Sequence, residues 1–270
     1  MPADLDLLRR IDAYLDAAPR TGARAEAIGP FTLFLNEGHG WRYYARPSPG
    51  ATGFTAEAVR AVRGRQRALS QPEAFEWIGE LAPDVGAAVA AESMRIVDHP
   101  LMVLDDHART QHVPDGVEVG IVDADDDLAA LSAVAEVAFA APGTATGSLG
   151  PADAAAAAAA QNPDTIAFQR GRMLAGLTVA AAARVTGVVA AVGWHQPLDG
   201  ASEIVGVATL PTFRRRGLGA AVTCALVADA LERGVGTVFL SADDDDVARV
   251  YTRVGFRRVG TACAASVAAR

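Results

Sequence analysis

The feature that most constrains this chain is the passage from a strand-like run into a helix between Thr209 and Gly234. The run ends at Pro211, and the segment that follows carries three arginines and two glycines before the helix begins. Gly234 stands just after the helix, where a glycine in the left-handed conformation commonly ends it. The helix itself is predicted from apolar residues that repeat every four positions: Leu218, Val222, Leu226 and Ala230.

A strand that leads through a glycine-containing loop into a helix is suited to binding phosphate. The first amides of a helix have no partner within it, and the helix dipole adds partial positive charge there. Gly217 and Gly219 let the backbone approach an anion without a Cβ in the way. The arginines at 214–216 supply charge-assisted donors at the rim. The segment therefore predicts a phosphate-binding site.

The spacing Arg214-x-x-Gly217-x-Gly219, followed by Ala220, resembles the acetyl-CoA pyrophosphate loop of the GNAT superfamily of N-acetyltransferases. Two further landmarks stand in the family's order. Thr209-Leu210-Pro211 occupies the place of a strand that ends in a Val-x-Pro-like sequence, and residues 251–256 read Tyr-x-x-x-Gly-Phe. The resemblance implies an α+β fold with a mixed, mostly antiparallel sheet flanked by helices. It also implies acetyl-CoA as the acyl donor and no metal.

The resemblance assigns the pyrophosphate to the main-chain amides of 215–220 and the pantetheine arm to the end of the preceding strand, which would pair with it like an added strand. Thr209 replaces the more usual Val of the family, and Asp244 stands where many members carry Asn, so we do not expect Asp244 to be a ligand. The implied cofactor-binding residues are Val207, Ala208, Thr209, Arg214, Arg215, Arg216, Gly217, Leu218, Gly219 and Ala220.

Tyr251 is the candidate general acid. From its helical pattern alone it is a core tyrosine, but the resemblance implies that its hydroxyl protonates the departing CoA thiolate. The candidates for the general base are Glu203 and His195, each of which could equally be an ordinary strand-end residue. Four aromatic residues could line an acceptor pocket or belong to the core: Trp41, Tyr43, Tyr44 and Trp194.

The composition limits the classes of partner that the protein is expected to bind. The chain has 270 residues, a net charge of −8 and a pI near 5.1, which disfavours binding to nucleic acid or to anionic membranes and is compatible with a cationic amine. All 24 basic residues are arginine, so an arginine at a given position does not indicate that its function requires arginine instead of lysine. No signal peptide is visible, and Cys224 and Cys263 are expected to be reduced thiols, which together predict a cytoplasmic protein. The acidic runs 123–127 and 243–246 are interpreted as helix N-terminal charge rather than metal sites.

Two domains are predicted, 1–110 and 116–270, joined by a polar linker at 105–116. The first resembles a degenerate GNAT half, in which Val89 takes the place of Tyr251 and no Gly-x-Gly precedes the helix at 55–69. The remaining elements of that half are predicted as helices at 4–18 and 83–92 and strands at 31–35, 41–45, 73–78, 94–97 and 101–104. In the second half we predict strands at 117–122, 174–184, 187–194, 202–210, 237–242 and 256–262, and helices at 126–140, 154–160 and 245–254.

The sequence thus predicts an N-acyltransferase that moves an acetyl group from acetyl-CoA to a primary amine of a small molecule or peptide by direct attack. No nucleophilic Ser or Cys pattern suggests an acyl-enzyme. Two alternatives are a CoA-binding sensor without turnover, and transfer to a hydroxyl or a protein terminus. The N-terminal half would serve as a lid, as a wall of the acceptor site or as the surface of a homodimer.

Overall fold

The structure is a computed structural model that describes residues 2–36, 38, 44–105, 113 and 115–267. Two compact units form: the first contains the residues up to Leu101 and those from Arg258 onward, and the second contains Met102–Arg257. The last strand of the chain therefore begins in the second unit and continues in the first, although in sequence it belongs to the C-terminal half. The domain boundaries 1–110 and 116–270 stay a prediction.

Eight helices and eleven strands are described, numbered in chain order. The helices are α1 (Pro2–Ala17), α2 (Ala56–Ala68), α3 (Pro83–Ala91), α4 (Leu128–Phe139), α5 (Pro151–Ala159), α6 (Pro163–Leu174), α7 (Leu218–Glu232) and α8 (Asp245–Val254). The strands are β1 (Arg24–Ile28), β2 (Phe31–Leu35), β3 (Ala45–Pro47), β4 (Ala74–Ile78), β5 (Arg95–Leu104), β6 (Val117–Val122), β7 (Val179–Val185), β8 (Val188–Leu198), β9 (Ala201–Thr209), β10 (Thr237–Ser241) and β11 (Phe256–Ser266).

The strand pairings are mixed and mostly antiparallel, as predicted. In the first unit the order is β1–β2–β3–β4–β11–β5, and only the β3–β4 pair among the registers described there is parallel. In the second unit the order is β5–β10–β9–β8–β7–β6, with antiparallel pairs from β6 to β9 and a parallel pair between β9 and β10. The turn at Thr186-Gly187 joins β7 to β8, and both residues have positive φ.

Each unit has its own apolar core. In the first, helices α2 and α3 bury Val62 and Val89 against Phe75 and Trp77 of β4. In the second, the alanines of β7 alternate between two cores: Ala181 packs with the α7 side, whereas Ala180 and Ala182 pack with the α4 side. Successive residues of a strand point to opposite faces, so β7 is buried on both faces and has room only for small side chains.

Several predicted elements need correction. The two strands predicted at 94–97 and 101–104 are one strand, β5, which continues through the buried Pro100. Strand β3 begins at the last residue of the strand predicted at 41–45 and extends to Pro47. Strand β1 and helix α6 were not predicted at all. Helix α6 has a readable start, because Asn162 accepts a hydrogen bond from the Asp164 amide at 2.8 Å and Pro163 occupies the first turn.

Some predicted segments fall mainly outside the described residues. This group contains most of the strand at 41–45 and most of the linker at 105–116. The other helices predicted in the second half agree with α4, α5, α7 and α8 to within a few residues.

Candidate active site

The second unit contains one parallel strand pair, β9 and β10, among its described registers. The ladder joins Ala201–Glu203 of β9 to Thr237–Phe239 of β10, and no pairing with β10 is described for the rest of β9, which pairs with β8 on its other side. Because the strands are parallel, their carboxyl ends lie at the same edge, where β9 leads to α7 and β10 leads to α8. The last residues of β9 therefore keep main-chain groups free on the side of β10.

Strand β9 is bent just before the predicted cofactor-binding residues. Its register with β8 shifts between Val192 and Trp194, and Gly206 has a φ of +64°. A Cβ at Gly206 would lie 2.8 Å from Cε3 of Trp194, so no side chain fits there. The bulge re-aims the strand end, residues 207–209, as β-bulges commonly do beside active sites.

The start of α7 leaves several main-chain amides without an acceptor. Gly217 is the N-cap residue with a φ of +77°, and no side chain caps the helix. Ala221 is the first helical residue whose amide bonds to the loop, donating to the Gly217 carbonyl at 3.0 Å. In the described part of the chain the amides of Leu218, Gly219 and Ala220 have no acceptor. Such a helix start attracts an anion.

The three arginines of the loop lie in different environments. Arg215 and Arg216 are exposed and form no ion pair with a described residue, and the Arg216 guanidinium lies 5.1 Å from the centre of the Phe213 ring. Arg215 also has positive φ, at +62°. Arg214 is half-buried, its guanidinium is bound to main-chain carbonyls, and burial lowers its pKa. Only Arg215 and Arg216 thus offer their side-chain charges to a ligand.

Tyr251 lies on α8 and shares an apolar core with Leu218 and Val222 of α7, which packs against α8. Its ring meets Phe256 edge to face, with centroids 6.0 Å apart. Tyr251 is 9% exposed, and burial raises the pKa of its hydroxyl to about 12. Among the described residues the hydroxyl has no hydrogen-bond partner, and its oxygen keeps some contact with solvent, since it is not one of the fully buried polar atoms that lack a partner.

The comparisons with known proteins concern the fold that carries these residues. Residues 182–264 match the family model described as FR47-like protein, which spans β8, β9, the loop, α7, β10 and α8. A GCN5-related N-acetyltransferase from Kribbella flavida has a TM-score of 0.71 and 23% identity, covering 97% of this chain and 96% of that one. The chain has the GNAT fold.

Two other solved structures extend the similarity over both units. A tandem GNAT protein from the clavulanic acid biosynthesis pathway has a TM-score of 0.56 and 15% identity, covering 88% of this chain and 78% of that one. A GCN5-related N-acetyltransferase from Sphaerobacter thermophilus has a TM-score of 0.56 and 17% identity, covering 98% and 92%. No curated protein matches the chain in sequence.

Of the two candidate bases in this GNAT fold, His195 is completely buried and both of its ring nitrogens are bonded. Nδ1 lies 2.8 Å from Ser202 Oγ and Nε2 lies 2.9 Å from Asp229 Oδ2, while Arg233 donates to the same carboxylate. Burial lowers the pKa of His195 by more than Asp229 raises it. The sequence interpretation missed Ser202 and Asp229, although the i, i+4 spacing of Asp229 and Arg233 on α7 indicates an ion pair.

Glu203 lies near the start of β9, about 20 Å of extended strand from Thr209. It is half-buried. Its neighbours Ser202 and Ile204 belong to the face of β9 that packs towards α7, so alternation directs Glu203 to the opposite face. Glu203 and His195 therefore lie on neighbouring strands, but their side chains serve different faces of the GNAT sheet.

The acidic runs and the two cysteines occupy ordinary structural positions. Asp244 caps α8 by accepting from the Val247 amide at 2.8 Å, and Asp127 caps α4 by accepting from Ala130 at 3.0 Å. Both acidic runs thus stand at helix starts, as predicted, and the described residues contain no group of three His, Cys, Asp or Glu side chains that could hold a metal. Cys224 and Cys263 form no disulfide.

The aromatic candidates for the acceptor pocket divide. Trp194 is half-buried and packs with the α4-side core, whereas Trp41 and Tyr43 lie outside the described residues. Tyr44 lies in the first unit, where its hydroxyl bonds to Glu76. None of the helices in the described part of the chain combines the length and the apolar character that crossing a lipid bilayer requires.

Proposed function

We propose that the chain is an N-acyltransferase that moves an acetyl group from acetyl-CoA to a primary amine of a small molecule or peptide. The start of α7 carries this proposal: its amides at 218–220 lack acceptors, Gly217 holds a left-handed backbone and the side chains of Arg215 and Arg216 are exposed. A pyrophosphate group matches this pattern because its oxygens accept several main-chain and guanidinium hydrogen bonds at once.

The bend in β9 supports a second contact. With no ladder partner described beyond Glu203 on the β10 side, the main chain of Val207, Ala208 and Thr209 can pair with the amide-containing pantetheine arm. An amide of this strand end would then donate to the thioester oxygen and stabilise the oxyanion that forms on attack. Acetyl-CoA supplies an activated acyl group with a thiolate as the leaving group.

Tyr251 has the properties of a proton donor. Its raised pKa keeps the phenol protonated at physiological pH, and its hydroxyl has no described partner that would compete for the proton. In the proposed reaction the neutral amine attacks the thioester carbon, the C–S bond breaks as the tetrahedral intermediate collapses, and the phenol proton passes to the departing sulfur. The buried environment that raises the pKa also disfavours a thiolate there, which favours its protonation.

Glu203 is the better candidate for the base. His195 has both ring nitrogens bonded and no exposed surface, so it has no free lone pair for an incoming ammonium group. We infer that Glu203, through a chain of water molecules, accepts the proton that the amine must lose. Geometry takes precedence over pKa in choosing between such candidates.

The test is release of free CoA thiol from acetyl-CoA in the presence of amines, polyamines, amino acids and peptides, followed by mass analysis of the product. Tyr251→Phe should lower turnover by about 10²- to 10⁴-fold while leaving acetyl-CoA binding intact. Tyr14→Phe is the matched control, since Tyr14 is a buried tyrosine of the first unit, and should leave turnover unchanged.

Three outcomes would contradict parts of the proposal. Binding of acetyl-CoA with no acceptor consumed would favour a CoA-binding sensor. An ester product would show transfer to a hydroxyl instead of an amine. Absence of acetyl-CoA binding would overturn the assignment of the loop at 214–220.

A further inference from the structure

Two connecting segments of the second unit lie side by side. One is the loop between α4 and α5, residues 141–150, and the other is the segment 210–214 that leads from β9 to the phosphate loop. The Gly147 amide donates to the Pro211 carbonyl at 3.2 Å, and the Thr212 amide donates to the Leu149 carbonyl at 3.1 Å. Main-chain hydrogen bonds thus join the two segments.

The contact is close as well as hydrogen-bonded. A Cβ at Gly150 would lie 2.8 Å from Oγ1 of Thr212. Most residues of the loop at 141–150 are exposed, so little apolar burial holds it in place. Its order therefore depends on these contacts with the segment 210–214.

Arg214 makes the remaining link with its side chain. Its Nη2 donates to the carbonyls of Ala138 at 2.9 Å and Ala141 at 2.6 Å, and its Nη1 donates to the Ala145 carbonyl at 3.0 Å. Its Nε donates to the carbonyl of Thr209 at 3.2 Å. The guanidinium thus binds the carboxyl end of α4, the following loop and the end of β9 together.

This arrangement differs from that of a phosphate ligand. A guanidinium has five N–H donors in a fixed fork, and the four bonds to carbonyls use most of them. The last carbonyls of a helix carry partial negative charge, which favours a cation at the end of α4. Arg215 and Arg216, by contrast, have no ion pair with a described residue.

We propose that Arg214 is a positioning residue that couples the phosphate loop to the loop at 141–150, and not a phosphate ligand through its side chain. The proposal rests on the proposed function, in which the loop at 214–220 holds acetyl-CoA. When a ligand orders residues 215–220, the links through Arg214, Pro211 and Thr212 transmit that order to residues 141–150. Any acceptor that contacts the loop then binds more tightly to the acetyl-CoA complex, and by reciprocity strengthens acetyl-CoA binding by the same factor.

The test compares charge with geometry at two neighbouring positions. Arg214→Lys keeps the positive charge but loses the planar fork, and Arg214→Gln loses both. For a positioning residue, both variants should increase amide hydrogen exchange of peptides covering 138–150 by about 10-fold and weaken acetyl-CoA binding by about 3- to 10-fold. Exchange of the same peptides should slow when acetyl-CoA binds the wild-type protein, and much less in either variant.

Arg215 provides the matched control. Arg215→Gln should weaken acetyl-CoA binding and reduce its salt dependence, Arg215→Lys should restore most of both, and neither should change exchange at 138–150 in the free protein. Gly150→Ala, which disturbs the same contact from the other side, should reproduce the exchange pattern of Arg214→Lys.

Two results would overturn the proposal. One is an Arg214→Lys protein with wild-type exchange and affinity beside an Arg214→Gln protein that has lost binding, since charge alone would then suffice. The other is unchanged exchange at 138–150 in both Arg214 variants. If the wild-type protein binds no acetyl-CoA, the proposed function fails. Amide hydrogen exchange of the free proteins still tests whether Arg214 links the two segments.

Discussion

Helices α2 and α7 each follow a glycine with a similar positive φ, yet they begin differently. Gly53 before α2 has a φ of +78°, and Gly217 before α7 has a φ of +77°. The hydroxyl of Thr55 then caps α2 by accepting from the Ala58 amide at 3.2 Å, whereas no side chain caps α7. A helix start whose amides are satisfied within the chain has little left for a ligand, so the open start is the one expected to bind an anion.

Buried polar side chains show the same contrast. In the first unit Arg46 is 2% exposed and donates to Asp12 at 2.9 Å, so its charge is compensated within the chain. In the second unit the hydroxyl of Tyr251 has no described partner, although the fully buried side-chain atom without a partner among the described residues is Oε1 of Gln66 in the first unit. Polar groups that a fold leaves without partners cost stability, and they are commonly found where a ligand or a reaction uses them. The comparison predicts that changes in the first unit affect stability alone, and that changes around α7 affect ligand binding.

The largest effect on stability is expected for Arg46→Met. Removal of one partner leaves Asp12 and the nearby Glu76 without their compensating cation, which should lower the free energy of unfolding by about 3–5 kcal/mol in urea titrations. Arg60→Met is the control, because Arg60 is exposed and its partner Glu92 keeps a second arginine, Arg63, so the change should cost at most about 1 kcal/mol. Acetyl-CoA affinity below the unfolding transition should not change. Loss of affinity in the Arg46 variant without loss of stability would contradict the comparison.

The next effect separates the two glycines. Alanine at either position must adopt a left-handed backbone at a cost of about 1–2 kcal/mol, and neither site has an atom within 4 Å of the added Cβ. Gly217→Ala can relieve this strain in the free protein but must restore the loop on binding, so acetyl-CoA affinity measured by titration calorimetry should fall by about 10-fold. Gly53→Ala should lose comparable stability and no affinity. Equal affinity losses in the two variants would show that the comparison is wrong.

A smaller effect is expected at the cap of α2. Thr55→Ala removes the side-chain acceptor and should lower the free energy of unfolding by about 1 kcal/mol. The acetyl-CoA dissociation constant should equal that of the wild-type protein, since the amides exposed by this change lack the neighbouring arginines of α7. A change in that constant would indicate that the first unit takes part in binding.

Much of the C-terminal fold could be predicted because its signals are local. The start and end of α8 follow from Asp244 and Gly255, a cap and a left-handed glycine, and agree with the structure to the residue. Helix α6 was not predicted, although Asn162 and Pro163 are typical helix-start residues. The sequence could not distinguish the single strand β5 from two short strands, because a proline such as Pro100 normally interrupts a ladder.

The candidate site shows the same limit. The glycine spacing predicts a phosphate loop because it depends on backbone conformation encoded within six residues. The role of Arg214 depends on carbonyls about seventy residues earlier in the chain, at Ala138, Ala141 and Ala145, and no local pattern contains that information. Side-chain partners that are distant in sequence, such as Ser202 and Asp229 around His195, need the tertiary structure.

The smallest expected effects concern pH, where the two units should respond in opposite directions. Burial raises the pKa of Glu76 in the first unit to about 7, against the effects of Arg46, Tyr44 and His99. A raised folded-state pKa means that the contribution of Glu76 is fully present below about pH 4.5 and is lost as the pH rises through 7. Burial lowers the pKa of His195 in the second unit, so its contribution is present above about pH 6.5 and is lost as the pH falls.

Between pH 5 and 6.5 the two contributions partly cancel in the wild-type protein, and single variants should reveal them. On acidification over this range His195→Asn should gain stability, because Glu76 alone remains, whereas Glu76→Gln should lose it, because His195 alone remains. Either slope is limited to about 1.4 kcal/mol per pH unit, the value for one proton. Urea unfolding at half-unit steps of pH measures both slopes. If His195→Asn leaves the wild-type slope unchanged, the buried His195–Asp229 pair does not titrate differently in the folded and unfolded states, and its role is confined to joining β8, β9 and α7.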